Sequence, residues 1–183
     1  MQVLRRFRPS PAKIAAITAL SIVALLSGSA YASGPSPKMQ RHLDKVKAAT
    51  KPYKDVDVAL RDGYLASNEC EEKPGGGGAM GYHYFNPEFL SDPRIKSLHP
   101  ELLLYFPTPS GGRRLGGVEY MRFDADQDVS TDSDRPKFRK RRPFNGPMHG
   151  HFPGQPIHYD LHLWLFMDNP NGVFKRYNPD ASC

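Results

Sequence analysis

Histidine is concentrated in residues 149–162, which hold four of the chain's seven histidines. Imidazole is a common ligand of Zn, Cu, Ni and Fe. Polar and apolar residues alternate over residues 157–166, which predicts a strand with His158, Asp160 and His162 on one face. His158 and His162 would lie about 13 Å apart, too far to share an ion through bonds of about 2 Å. A helix would instead bring these two histidines together, but the alternation favours the strand.

A second predicted strand, residues 115–123, carries a carboxylate among apolar side chains. Glu119 falls on the same side of this strand as Leu115, Met121 and Phe123. A carboxylate is costly to bury without a metal ion, a basic partner or backbone donors. Pairing with Arg113 or Arg122 is the alternative to metal binding at this position.

His83 lies between two tyrosines, which indicates a buried or half-buried imidazole. Together with Glu119 and His162 it predicts a site of two histidines and one carboxylate for a transition metal ion: Zn, Cu or Fe. Asp160 or His158 would be a fourth ligand or would contact the ligands from behind. The alternative is a buried hydrogen-bonded network of the same side chains without metal.

These residues predict a small exported domain that binds a transition metal or a small ligand. A second hypothesis is a metal-free envelope protein with a binding or structural role. In that protein four aromatic side chains would line a ligand cleft: Tyr82, Tyr84, Tyr120 and Trp164. A third is a metal-dependent hydrolase or oxidoreductase, which would need an open coordination position and a nearby base.

The first 32 residues have the pattern of a secretory signal peptide. A basic start precedes an apolar run over residues 14–26, and Ala30 and Ala32 occupy the small positions of a cleavage site. The pattern predicts Sec-type export to the periplasm or the medium and a mature domain of residues 33–183. The alternative is an uncleaved anchor, but the apolar run is too short to span a bilayer; no membrane span is expected after cleavage.

Export would place the two cysteines, Cys70 and Cys183, in an oxidising compartment. Two thiols in one small domain usually pair there, so a Cys70–Cys183 disulfide is predicted. A free buried thiol and an intermolecular bridge are the alternatives.

Helical patterns come first in the mature chain and strands follow, which predicts an α+β fold with a mostly antiparallel sheet. Ser36 begins a helix, and Thr50 is expected to cap a second helix over residues 52–62. The glycine-rich residues 69–81 are expected to form a mobile loop. Strands are predicted at residues 102–106, 115–123 and 157–166.

The net charge of +6 is unevenly placed along the 183 residues. Residues 1–32 hold four of the 25 basic side chains and no acid, which leaves 21 basic against 19 acidic groups, a net charge of +2. A nucleic-acid partner is therefore not expected. Residues 124–142 combine five aspartates with a basic run and are predicted to form a solvated, self-neutralising loop.

Three segments carry a resemblance: Gly81-Tyr-His-Tyr-Phe-Asn-Pro87, Tyr159-Asp-Leu-His-Leu-Trp164 and the ending from Asn178-Pro to Ser182-Cys183. In these segments the chain resembles a family of exported bacterial single-domain proteins with no assigned activity. The resemblance implies a signal peptide, one domain and a paired cysteine at the C-terminus, and no mechanism.

Overall fold

The computed structural model describes residues 34–183. The predicted signal peptide and its cleavage point lie outside these residues. The helices are α1 (Pro37–Thr50), a 3₁₀ turn (Lys51–Lys54), α2 (Val56–Arg61) and α3 (Pro87–Ser91). The strands are β1 (Leu65–Glu72), β2 (Ala79–Phe85), β3 (Leu102–Pro107), β4 (Arg113–Phe123), β5 (Lys137–Phe138), β6 (Arg142–Pro143), β7 (Asn145–Met148) and β8 (His158–Leu163). None of the described helices is long and apolar enough to cross a membrane.

Six of the strands form one antiparallel sheet in the order β1-β2-β3-β4-β8-β7. The short strands β5 and β6 pair with each other in the long segment between β4 and β7. Helices α1 and α2 precede the sheet in the chain and pack on one of its faces, whereas α3 lies between β2 and β3. The predicted α+β fold is confirmed.

The helix predicted to begin at Ser36 is present as α1. Ser36 caps its N-terminus, where the hydroxyl accepts a hydrogen bond from the Met39 backbone N–H at 3.3 Å. The predicted cap at Thr50 is wrong. Its hydroxyl donates to the Val46 carbonyl at 2.8 Å, inside α1, and Asp55 caps the second helix instead. Thr50 is fully buried, so bonding within its own helix satisfies its hydroxyl.

The segment expected to be a loop, residues 69–81, is mostly a β-hairpin. Strand β1 continues to Glu72, strand β2 begins at Ala79, and the four glycines between them form the turn. All four glycines have positive φ, and the Lys73 N–H donates to the Gly78 carbonyl at 2.9 Å. The hairpin was missed because β1 is an edge strand with mostly exposed side chains, so it lacks apolar alternation.

The two faces of the sheet differ in chemistry. One face packs against the helices in the main core, which includes Leu103, Val118, Leu161 and Leu163. The opposite face carries buried polar side chains together with a smaller apolar cluster around Phe106 and Trp164. The polar face of β8 is the one expected from its alternation.

A bulge at Gly116 interrupts the alternation of side chains between the two faces of the sheet along β4. Leu104 of β3 pairs with Gly117, whereas Tyr105 pairs with Leu115, so one residue is left out of the register. Leu115 therefore joins the main core, and the expectation that it shares a face with Glu119 is wrong. Gly117 is needed at this point because a Cβ atom there would lie 2.5 Å from the Leu163 carbonyl oxygen.

The predicted disulfide is confirmed: Cys70 of β1 is bonded to Cys183. A second contact holds the C-terminal segment, because Ala79 and Asn178 exchange two backbone hydrogen bonds of 3.1 Å. Both contacts fix the end of the chain beside the β1–β2 hairpin.

Candidate metal centre

Three strands of the sheet bring His83, Glu119 and His162 together on the polar face. His83 lies on β2, Glu119 on β4 and His162 on β8, and Glu119 and His162 are direct cross-strand partners. One possible ligand atom of each residue lies within 4.8 Å of the other two. These three residues could hold a metal ion, and we refer to this candidate site as the metal centre.

All three side chains of the metal centre are buried, with exposed fractions of 7% for His83, 1% for Glu119 and 0% for His162. The Oε2 atom of Glu119 lies 3.1 Å from Nε2 of His83 and 3.7 Å from Nε2 of His162. Glu119 Oε2 and both ring nitrogens of His162 nevertheless lack a hydrogen-bond partner among the described residues. The three side chains therefore converge without satisfying one another.

A carboxylate stands behind each histidine of the metal centre. Glu71 Oε1 lies 3.4 Å from Nδ1 of His83, and Asp160 Oδ1 lies 3.9 Å from Nδ1 of His162. Histidines that ligate metals commonly have such a group on their other nitrogen, where it sets the tautomer and the ring orientation. The arrangement leaves Nε2 of both rings directed at Glu119.

Asp160 and His158, the other two residues predicted at the site, are not part of the metal centre. Asp160 is fully buried, accepts from Asn145 at 2.7 Å and pairs with Arg176 at 2.8 Å. The structure thus places Asp160 behind His162. His158 has Nδ1 3.1 Å from the carbonyl oxygen of Pro156 and lies outside the group.

Glu71 and His151 belong to the surroundings of the metal centre, although sequence reasoning did not select them. Glu71 Oε2 lies 2.6 Å from Nδ1 of His151, while its Oε1 faces His83. The two side chains are 28% and 23% exposed, so they connect the buried centre to solvent. His151 lies in the histidine-rich segment, but Glu71 had no comparable signal because β1 was not recognised as a strand.

The two histidines of the metal centre have opposite pKa shifts. Burial disfavours the charged ring of His83, but the nearby carboxylates of Glu119 and Glu71 outweigh it and raise the pKa. Burial dominates at His162 and lowers its pKa, despite the attraction of Glu119 and Asp160. His162 is therefore a neutral imidazole at pH 7, the form that binds metal.

The four aromatic residues expected to line a cleft are divided between two buried clusters. Tyr84 and Tyr120 lie in the main core, and Tyr82 packs against it with Arg113 stacked 4.0 Å from its ring. Trp164 lies in the smaller cluster, with its ring 5.8 Å from that of Phe106. The four side chains do not line a common cleft, because most of their surface is used in core packing.

No protein-family model matches the sequence, and comparisons with curated proteins and with solved structures find no match.

Proposed function

We propose that the protein binds one transition metal ion, Zn²⁺, Cu²⁺ or Fe²⁺, at the metal centre. The observation that carries this proposal is the set of unsatisfied buried atoms on Glu119 and His162, which face the imidazole of His83. Two imidazole nitrogens and one carboxylate oxygen are a donor set that suits these ions.

A metal-free network accounts less well for the same geometry. In such a network, a protonated His83 would pair with Glu119 at 3.1 Å, which satisfies the charge of the carboxylate. His162 would still be fully buried with no hydrogen-bond partner in the described part of the chain. A buried polar group without a partner costs about 1–3 kcal/mol, whereas a metal ion would use the lone pair on Nε2.

The charges around the metal centre also favour a cation. Glu71, Glu119 and Asp160 surround the two histidines; Arg176 pairs with Asp160 and His151 with Glu71, so Glu119 is the carboxylate without a basic partner outside the metal centre among the described residues. A divalent ion would compensate the remaining negative charge. Three protein ligands would leave further coordination positions for water or a small ligand.

The test is metal titration of the purified protein after removal of bound metal with a chelator. Calorimetry with Zn²⁺, Cu²⁺ and, without oxygen, Fe²⁺ should give one ion per chain for the preferred metal. His162→Ala should abolish this binding, and Glu119→Gln should weaken it strongly while preserving side-chain shape. His149→Ala is the matched control, because His149 is exposed and lies outside the metal centre.

Circular dichroism of each variant would separate loss of binding from loss of fold. Absence of binding in the wild-type protein would refute the proposal. Equal binding by wild type, His162→Ala and Glu119→Gln would refute the assignment of the site.

We also propose that the protein acts outside the cytoplasm. The signal-peptide pattern of residues 1–32 supports export, and the Cys70–Cys183 disulfide is compatible with an oxidising compartment. The intact mass of the exported protein should correspond to a start at Ser33. A full-length chain recovered in the membrane fraction would contradict this proposal.

A further inference from the structure

The basic residues that follow the acidic loop after β4 do not neutralise it. Residues 135–142 hold six basic side chains, and only Arg135 has an acidic partner among the described residues, Asp132 at 2.9 Å. The prediction that this segment neutralises itself is therefore wrong for all but one of its basic side chains. Four consecutive cations form no ion pair within residues 34–183: Arg139, Lys140, Arg141 and Arg142.

The turn of the β5–β6 hairpin presents these cations. Phe138 pairs with Arg142, and the Arg141 N–H donates to the Phe138 carbonyl at 3.1 Å. The two central residues of this turn, Arg139 and Lys140, both have a left-handed backbone, with φ of 51° and 62°. Turns with positive φ at both central positions favour Gly, Asn and Asp, because other side chains adopt this backbone only at a cost.

The cost of this backbone is not explained by packing of the turn. The side chains of Arg139 and Lys140 are exposed and donate no hydrogen bond within the described part of the chain. Backbone strain that persists under exposed side chains is typical of positions that present those side chains to a ligand. The turn therefore points to a role for its two cations outside the folded core.

The cations line a groove between the hairpin and the start of α1. This groove consists of two adjoining cavities of about 410 and 440 Å³, which share Ser36, Met39 and Arg141. No acidic side chain of the described residues lines either cavity. We call it the basic groove, and its cationic side chains are Lys38, Arg139, Lys140, Arg141, Arg142 and Lys175.

His42 adds an unsatisfied nitrogen to the basic groove. It lines one of the two cavities, and its Nε2 atom is buried without a hydrogen-bond partner among the described residues. Burial and the positive charges of Arg139 and Lys45 lower the pKa of His42. A neutral imidazole of this kind can donate one hydrogen bond to an anion, and the anion would also balance the positive charge around it.

The basic groove also has an apolar part. Met39, Val173 and Phe174 line one cavity, and the guanidinium of Arg142 lies 4.9 Å from the centre of the Phe174 ring. This stacking holds the side chain of Arg142 at the groove. Each cavity falls in the range of about 300–1,000 Å³ that is typical of small-molecule sites. The groove therefore combines cations for an anionic ligand with apolar contacts for the rest of that ligand.

We propose that the basic groove binds a small soluble ligand that carries two or more phosphate groups. One phosphate has a charge of about −1.5 to −2 at pH 7, so the six unpaired cations exceed what a single phosphate would balance. Arginine binds phosphate oxygens through paired hydrogen bonds, and lysine binds them as a point charge. The concave shape favours a ligand that enters the groove over a flat membrane surface.

The test is calorimetric titration of the purified protein with sodium tripolyphosphate at low ionic strength. Bound metal is removed beforehand, because tripolyphosphate also binds metal ions and no residue of the metal centre lines the groove. One tripolyphosphate should bind per chain. Orthophosphate should bind about tenfold more weakly or less, because it reaches fewer of the cations. Added salt should lower the affinity, since the contacts are between charges.

One variant and a matched control locate the ligand. Arg141→Gln should weaken tripolyphosphate binding about tenfold, because Arg141 lines both cavities and loses a hydrogen bond between charged groups. Arg61→Gln removes the same charge from an exposed arginine of α2 that lies outside the groove. This control should bind as wild type.

A second variant tests the turn. The double change Arg139→Asn with Lys140→Gly introduces residues that favour positive φ, so it should raise Tm by a few degrees in the absence of ligand. The same variant should bind tripolyphosphate about tenfold more weakly or less, because two cations of the groove are lost. A gain in Tm with unchanged binding would show that the turn has no role in binding.

Three results would overturn the proposal: no binding of tripolyphosphate by wild type, equal affinities of Arg141→Gln and wild type, or equal loss of affinity in Arg141→Gln and Arg61→Gln. Sedimentation with lipid vesicles tests the membrane alternative. A protein that sediments with phosphatidylglycerol vesicles and not with phosphatidylcholine vesicles, and that does not bind tripolyphosphate, would identify a membrane surface instead.

Discussion

Glu71 lies behind His83: its Oε1 is 3.4 Å from Nδ1 of the ring, and Nε2 on the opposite side of that ring faces Glu119. The second oxygen of Glu71 lies 2.6 Å from His151. Burial opposes the charge of Glu71, but its contacts with His151 and His83 prevail and lower the pKa of the carboxyl. Glu71 is therefore an ionised group that can orient His83 for metal binding.

Replacing Glu71 by Gln should lower the metal affinity of the metal centre about 10- to 100-fold without removing any ligand. The loss has a physical cause: a neutral amide holds the imidazole less firmly and makes its Nε2 less basic. Calorimetric titration of the metal-free protein measures the change.

Glu72→Gln is the matched control, because Glu72 is the next residue of β1, is exposed and contacts neither histidine. Equal affinities of Glu71→Gln and wild type would show that Glu71 does not position His83.

The polar face of β8 was predictable because alternation with apolar residues assigns its histidines and Asp160 to one side. The hypothesis that His162 is the one that meets Glu119 agrees with the structure, but the alternation alone could not establish it, since that depends on the β4–β8 register, in which Glu119 is opposite His162. A shift of two residues would have placed Asp160 or Trp164 opposite Glu119 while leaving the alternation unchanged.

The contribution of β1 could not be inferred from its sequence. An edge strand that is exposed along most of its length carries no apolar pattern, so Glu71 resembled an ordinary acid in a loop. Likewise, Leu115 was assigned to the wrong face because a bulge at Gly116 reverses the alternation, and two adjacent glycines do not show which one is the bulge.

Removing the disulfide by a double Cys70→Ala and Cys183→Ala change should lower the free energy of unfolding by roughly 5 kcal/mol at most. The bond joins residues 113 positions apart, so its loss greatly enlarges the unfolded ensemble. The backbone pairing of Ala79 with Asn178 remains, and the variant should still fold. Urea unfolding measures the difference, and wild type with reductant should reproduce it; equal stabilities would contradict this expectation.

Glu101 should make stability fall as pH rises. It is 2% exposed, accepts a 3.4 Å hydrogen bond from the Met121 N–H, and its burial raises the pKa to about 8. The folded state therefore holds a proton between about pH 4.5 and pH 8 that the unfolded state releases, so the contribution of Glu101 to stability is present in acid and is lost across this interval.

A Glu101→Gln variant should gain stability relative to wild type as pH rises from 5 to 8, by an amount on the order of 3 kcal/mol. Urea unfolding at several pH values measures this difference. Glu88→Gln, at an exposed position, should show no such trend. A difference between Glu101→Gln and wild type that does not vary with pH would show that Glu101 is ionised in the folded protein.

Arg176 should stabilise the fold through Asp160, whose carboxylate is fully buried. Burial opposes the charge of Asp160, while His162 and Arg176 outweigh it and lower the pKa. Arg176→Met removes the guanidinium 2.8 Å from this carboxylate and leaves Asn145 as its remaining hydrogen-bond donor. The free energy of unfolding should fall by an amount on the order of 3 kcal/mol at pH 7, because a buried charge is left without its partner.

The loss of stability caused by Arg176→Met should become smaller as pH falls through the pKa of Asp160, because protonation removes the charge that Arg176 compensates. The double variant Asp160→Asn with Arg176→Met should recover much of the stability, since neither charge is then present. Lys175→Met, an exposed neighbour in the same segment, should have little effect. If Arg176→Met and the double variant were equally unstable in urea at pH 7, Arg176 would act through packing rather than through the charge of Asp160.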